Sequence, residues 1–136
     1  MEKTWMVLAG VAHLGLVAVG SQVPRVFRLR ETLAPVGAGA RRLIWTWGAF
    51  IVLANLGFGA LSLVYAGDIA AGKGIAGGFA LFIGVYWLAR LGCQYFAFNT
   101  EDWPKEGGVV AKHALGALFL AMALVYLAAF AAGRST

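Results

Sequence analysis

The sequence predicts an all-α integral membrane protein, a four-helix transmembrane bundle that forms a single domain over residues 1–136. Its composition is 61% hydrophobic and only 12% charged, and its mean hydropathy is +0.79, which is unusual for a soluble domain. Four apolar runs occupy about 4–23, 43–66, 74–98 and 109–132. Each reaches the ~20 residues that a helix needs to cross ~30 Å of hydrocarbon. Because backbone polar groups find no water in lipid, each run must be helical.

The first run is expected to be a retained span, since Glu2 offsets Lys3 and no small-x-small cleavage site precedes the arginines at its end. Pro24 is predicted to end or kink this helix. Arginines and apolar residues then alternate up to Leu33. This pattern suits a short helix in the head-group layer that binds lipid phosphates, and it suits a solvated basic loop equally well. The predicted lipid contacts are Arg25, Arg28, Arg30, Arg41 and Arg42.

Charge and aromatic residues predict the orientation of the bundle. The loops after the first and third runs hold most of the Lys and Arg residues, whereas the other side has only Lys3, Lys73 and Arg134. Lys and Arg accumulate on the cytoplasmic side, so both termini are predicted to lie on the non-cytoplasmic side. We expect the membrane to be a bacterial inner membrane. The net charge of +5 is explained by these flanking cations, so no nucleic-acid partner is expected.

Several polar side chains fall inside the apolar runs. Counting ~1.5 Å per residue from the ends that carry the basic loops places His13, Asn55 and Arg90 at similar depths, about 12–18 Å in. Gln94 and His113 form a second level about 6 Å in. Small residues at helical spacing accompany His13, Asn55 and His113, and such stripes mark the inward faces of membrane helices. The predicted stripe of the second run is Gly48, Asn55, Gly59 and Ser62, and that of the fourth run is His113, Gly116, Ala117 and Leu120. The sequence therefore predicts an intramembrane polar site, although Asn55 also fits a plain interhelical hydrogen bond.

Arg90 gives the sharpest indication of a site. An arginine at the centre of a span costs from about 2.5 to more than 10 kcal/mol, and such residues usually mark function. Every acidic residue lies outside the apolar runs, at Glu2, Glu31, Asp68, Glu101, Asp102 and Glu106. We therefore expect an anionic ligand or head group, or an acid on a partner subunit, to compensate Arg90. The structural alternatives are neutral groups such as Asn55 and helix carbonyls, or a snorkelling path to the cytoplasm that would need local water.

Three functions fit these residues. The first is a redox-associated subunit that binds haem b, with His13 and His113 or one of them as metal ligands, or a quinone held by His13 and Arg90. Gln94 and Asn55 are further candidate cofactor-binding residues. The depth count separates the two histidines by about 10 Å, which weakens a shared haem iron. The second is binding, transport or modification of an anionic lipid or amphiphile. The third is a non-catalytic accessory role in a larger complex, or in a homo-oligomer.

Catalysis by the chain alone is the weakest expectation, because no serine–histidine pair, metal-binding box or phosphate loop is present in the sequence. Cys93 is the single cysteine, which excludes an internal disulfide. The segments ARLGCQYF, EDWP and KHALGALFL resemble short four-span bacterial integral membrane proteins of unassigned function. That resemblance brings no activity with it. It implies only that Arg90, Gln94, Trp103, Pro104 and His113 are the residues to mutate first.

Overall fold

A computed structural model describes residues 1–135, and within that range the chain is helical with no β-strand. Four of its helical stretches are long and apolar enough to cross a membrane, at Lys3–Val26, Ala38–Val64, Gly74–Ala97 and Gly108–Arg134. These agree with the four predicted runs. The elements are α1 (Lys3–Gly20), α2 (Val23–Val26), α3 (Leu29–Thr32), α4 (Ala38–Val64), α5 (Ala66–Ala71), α6 (Gly74–Gly92), a π-helix (Cys93–Ala97), a 3₁₀ turn (Thr100–Asp102) and α7 (Gly108–Arg134).

Two close helix pairs build the bundle, α1 with α4 and α6 with α7. Glycines permit the close approach in the first pair. A Cβ atom added to Gly59 would lie 3.1 Å from the Cβ of His13 and 3.2 Å from the carbonyl oxygen of Gly10. Without side chains at these positions the two backbones come near contact, as is common between membrane helices. The larger buried side chains between the pairs are Met6, Ile83, Trp87, Phe119, Met122 and Tyr126.

The two basic loops lie at the same end of the bundle, because the ring of Phe27 meets the ring of Trp103 edge-on with centroids 6.4 Å apart. We call this the basic end. At the opposite end the terminal amine of Met1 donates to the carbonyl oxygen of Ala70 at 3.5 Å. Gly72, with a positive φ of 68°, packs against the backbone of Ala129 near the end of α7. The placement of both termini together agrees with an even number of spans.

Helix α4 joins the bundle through its second half only. Its buried residues are Asn55, Gly59 and Ser62. The first half, residues 38–53, contributes no buried residue, and its large apolar side chains are exposed. We call residues 38–53 the open half of α4. At ~1.5 Å per residue it is about 24 Å of apolar helix without a partner in the described chain.

Three features differ from the sequence predictions. The inward stripe of α4 begins at Asn55, because Gly48 belongs to the open half and has no neighbouring atoms. The inward face of α7 runs through Phe119 and Tyr126 rather than through Leu120, which is exposed. A π-helix follows α6, and neither it nor the short α5 was predicted. A π-turn holds one extra residue and thereby rotates the side chains that follow.

Candidate intramembrane polar site

His13 lies at the centre of the bundle with no exposed surface. Its Nδ1 is 2.9 Å from the carbonyl oxygen of Ala9, one turn earlier in α1. Its Nε2 accepts a hydrogen bond of 3.1 Å from the indole N–H of Trp87 on α6. Because an indole only donates and a carbonyl only accepts, this pattern assigns the proton to Nδ1. The ring is therefore neutral, with both of its nitrogens engaged.

The hydrogen-bonded cluster around His13 reaches all four spans. The hydroxyl groups of Ser62 on α4 and Tyr126 on α7 lie 2.5 Å apart. The Tyr126 hydroxyl is also 3.5 Å from Nδ1 of His13. All of these side chains are buried. We call His13, Ser62, Trp87 and Tyr126 the central network. Such a network fixes the relative positions of the helices, because each polar group would be unpaired in lipid if its partner moved.

Asn55 lies beside the central network and binds largely within α4. Its side-chain N–H donates to the carbonyl oxygen of Ile51 at 2.9 Å and lies 3.5 Å from the Tyr86 hydroxyl on α6. Its Oδ1 atom is buried without a hydrogen-bond partner. The first contact is local and the second is long, so Asn55 acts only weakly between helices. Its free acceptor is unusual for a buried amide.

Arg90 is exposed on the bundle rather than enclosed with His13 and Asn55. Its guanidinium carbon lies 5.2 Å from the centroid of the Phe119 ring. That ring stacks on Trp87 with centroids 5.0 Å apart. Arg90 is therefore separated from Trp87 of the central network by the Phe119 ring, and it lies on the side nearer the basic end. The ion pair found within residues 1–135 joins Arg28 to Glu31, and Arg90 forms none there.

Gln94 and His113 occupy neighbouring turns but do not touch each other. Gln94 is buried in the π-helix, where its amide donates to the carbonyl oxygen of Lys112 at 2.6 Å and its Oε1 is unpaired. Tyr95 extends its hydroxyl to Nδ1 of His113 at 3.1 Å. It does so across Gly116, where any side chain would collide with it. His113 is exposed, so this second level combines a buried amide with an exposed imidazole.

The two histidines do not fit a shared haem iron. His13 contacts Tyr126, which lies 13 residues beyond His113 on α7, and that separation is about 20 Å along the helix. Both nitrogens of His13 are also hydrogen-bonded. Within residues 1–135 no group of three His, Cys, Asp or Glu side chains could hold a metal ion, but one or two histidines suffice for a haem. The separation bears only on a haem shared by both histidines, and haem binding itself stays a prediction.

A quinone fits the same residues poorly for a different reason. Quinone carbonyl oxygens accept hydrogen bonds, and the unpaired buried atoms of Asn55 and Gln94 are acceptors too. Arg90 forms no ion pair within residues 1–135 and offers donors to a quinone oxygen. Quinone binding also stays a prediction.

The predicted lipid-contact arginines are divided between two environments. Arg25, Arg28 and Arg30 line an open recess of about 480 Å³ that begins directly after α1. Arg41 instead donates to the carbonyl oxygen of Ala34 at 3.1 Å and so holds the turn into α4. Arg42 is exposed at the start of α4. The first three arginines thus form a concave surface, whereas the other two do not.

Sequence reasoning did not select Trp87, Tyr126 or Ser62 as polar partners. Aromatic residues inside apolar runs usually serve as bulky packing groups, yet the N–H of Trp and the O–H of Tyr need partners when buried. That requirement was the available signal. Comparison with protein-family models, with curated proteins and with solved structures finds no match to this chain.

Proposed function

We propose that this chain is a non-catalytic accessory subunit of a larger membrane complex. It docks through Arg90 and the open half of α4 onto a partner span that carries a carboxylate near mid-membrane. The observation that carries the proposal is the depth of an arginine with no acidic partner.

The contact with Phe119 sets the depth of the Arg90 charge. Phe119 is eleven residues after Gly108, where α7 begins at the basic end, so it lies about 16 Å along the helix. Arg90 itself is only seven residues from Ala97, the last residue of its span, or about 10 Å. Side chains lean towards the N-terminus of their own helix, so Arg90 leans towards the bilayer centre and the Phe119 ring leans towards the basic end. The guanidinium group therefore lies between these two depths.

The stabilisation available within the chain is too small for this position. A cation over an aromatic ring contributes about 0.5–2 kcal/mol. The cost of an arginine at the span centre ranges from about 2.5 to more than 10 kcal/mol. No carboxylate lies within any of the four spans, since the acids of the chain lie between the spans and at the N-terminus. A second copy of this chain would therefore supply no acid at that depth.

The open half of α4 gives a partner span room to reach Arg90. Tyr86 approaches Asn55, the first buried residue of α4. Arg90 lies one turn beyond Tyr86 towards the basic end, so it is level with the point at which α4 loses its contacts. A partner helix beside the open half would cover apolar surface and place a side chain near the guanidinium. A phospholipid head group lies at the edge of the ~30 Å hydrocarbon layer and is too shallow for this contact.

The test is photo-crosslinking in the native membrane. A photoreactive residue at Phe50, which is 64% exposed on the open half, should capture one partner chain with a carboxylate inside a span. The same residue at Val64, which is 73% exposed in the second half of α4, should not capture it. Arg90→Gln should lower the yield at Phe50 at least tenfold, since a lost charged contact of about 1.4 kcal/mol corresponds to that factor.

Arg134→Gln is the matched control, because Arg134 also lies over a ring, 5.4 Å from the centroid of Phe130, but at the opposite end. It should leave the yield unchanged. Arg90→Glu should abolish capture, and exchanging the partner's acid for arginine should restore it. The proposal is overturned if Arg90→Gln and Arg90→Glu leave the crosslinking yield at Phe50 unchanged. It is also overturned if native mass spectrometry finds a small anion that dissociates in Arg90→Gln, because the chain would then bind a ligand at this position.

A further inference from the structure

We infer that the recess after α1 binds the phosphate monoester head group of an anionic lipid. The inference is independent of the accessory role, because it uses different residues at a different depth. The recess is lined by Ser21, Pro24, Arg25, Arg28, Arg30 and Glu31 and holds about 480 Å³.

The backbone brings these arginines to one recess. Helix α1 ends at Gly20, and the one-turn helix α2 begins at Val23 with Pro24 in its first turn. Arg28 then adopts a left-handed conformation with φ 49° and ψ 44° before α3 begins. In residues 1–135 it is the one residue other than glycine with a positive φ. This conformation is unfavourable for a residue with a side chain. The reversal at Arg28 places arginines from both sides of it around the same space.

The charge of the recess matches a dianion. It contains three guanidinium groups and one carboxylate, and Glu31 is already paired with Arg28. Arg25 and Arg30 form no ion pair within residues 1–135. A phosphate monoester carries about −1.5 to −2 charges at pH 7. A single guanidinium group can bind two phosphate oxygens through two parallel N–H···O hydrogen bonds. A phosphodiester carries a single charge and would leave the recess undercompensated.

The position of the recess indicates that the phosphate belongs to a lipid. It opens where the first span meets the basic end, which is where lipid phosphates lie. Apolar side chains alternate with the arginines, and Val23, Val26 and Phe27 are 41%, 53% and 38% exposed. Free phosphate needs no apolar neighbours, whereas the acyl chains of a lipid do. Neither α2 nor α3 has a buried residue, so this segment does not depend on a core of its own.

The test is native mass spectrometry of the full chain in detergent with phosphatidic acid, phosphatidylglycerol or phosphatidylcholine added separately. We expect one phosphatidic acid to be retained at least tenfold more than phosphatidylcholine and several-fold more than phosphatidylglycerol. Arg25→Gln with Arg30→Gln should lower that retention at least tenfold. Arg42→Gln with Lys105→Gln removes the same charge at the same end outside the recess, and should change it less than twofold.

Three results would overturn the inference. Phosphatidic acid could bind no better than phosphatidylglycerol, which would remove the case for a monoester. The control pair could lose as much lipid as the recess pair, which would make the binding a matter of net charge. Inorganic phosphate at millimolar concentration could displace the lipid and bind the recess by itself with equal affinity, which would assign the site to a soluble anion. Retained helical circular dichroism in both double variants establishes that each is folded.

Discussion

The hydrogen bond between Trp87 and His13 is the contact on which the interior of the bundle most depends, and a double-mutant cycle measures it. Trp87 is 3% exposed and His13 is fully buried, with 3.1 Å between the indole and imidazole nitrogens. Trp87→Phe leaves the acceptor nitrogen of His13 unpaired, which costs about 1–3 kcal/mol in a buried site. His13→Leu removes that acceptor and leaves the indole donor unpaired. The double variant removes both partners.

The expected coupling energy is about 1 kcal/mol, since hydrogen bonds between membrane helices average about 0.6 and reach about 1.7 kcal/mol. Subtracting the two single effects from the double effect cancels the volume lost when indole becomes phenyl. The assay is the free energy of unfolding in mixed micelles with increasing dodecyl sulfate, followed by circular dichroism. If the double variant is destabilised by about 1 kcal/mol less than the sum of the two single variants, the neutral, doubly bonded histidine is supported.

The chain contains a matched control for this cycle. Tyr95 and His113 form a hydrogen bond of the same 3.1 Å length but at an exposed position. Because His113 lies near the start of α7 at the basic end, where interfacial water competes for exposed groups, their coupling should lie below about 0.5 kcal/mol. Equal couplings in both pairs, or none for Trp87 and His13, would refute the reasoning from burial. A visible absorption band in the purified chain that His13→Leu removes would show that His13 binds a chromophore instead.

Two further predictions concern helix packing and orientation. Gly59→Val should destabilise the bundle by about 2 kcal/mol, because the new side chain enters the crossing with α1, whereas Gly48→Val, with no atoms nearby, should unfold like the parent chain in the same micelles. In a Cys93→Ser background, an impermeant maleimide added to intact spheroplasts should label Gly67→Cys and spare Glu106→Cys if the basic end is cytoplasmic. The reverse labelling would invert the predicted orientation.

The sequence predicted the spans well because the cost of exposing polar groups to lipid depends on composition and length alone. Their observed bounds differ from the predictions by five residues at most, at the start of α4. His13 and Asn55 were correctly expected to face inward, since each is costly against lipid and each lies among small residues. Such inferences use one helix at a time and need no knowledge of its neighbours.

Contacts between helices were harder to predict because they depend on rotation and tilt. Counting depth placed Arg90 level with His13, but the angle about α6 directs it outside the central network, against Phe119. The π-helix adds a phase change that a 3.6-residue count omits. The lack of buried residues in the open half of α4 also leaves no sign in the hydropathy, because this half is as apolar as a packed helix. The sequence therefore predicted the depth of the polar residues in the candidate site, but not the side chains that they contact.

His13 and Arg90 represent two solutions to one problem, the placement of a polar group in hydrocarbon. His13 is satisfied within the chain through neighbours on α1 and α6. Arg90 has five donors, and Asn55 has an unpaired buried acceptor one turn away in level, yet no hydrogen bond joins them here. If Arg90 served the interior, Asn55→Leu would weaken the bundle and disturb Arg90 together. If it serves a partner, Asn55→Leu should leave capture at Phe50 within about twofold, a change of less than about 0.5 kcal/mol.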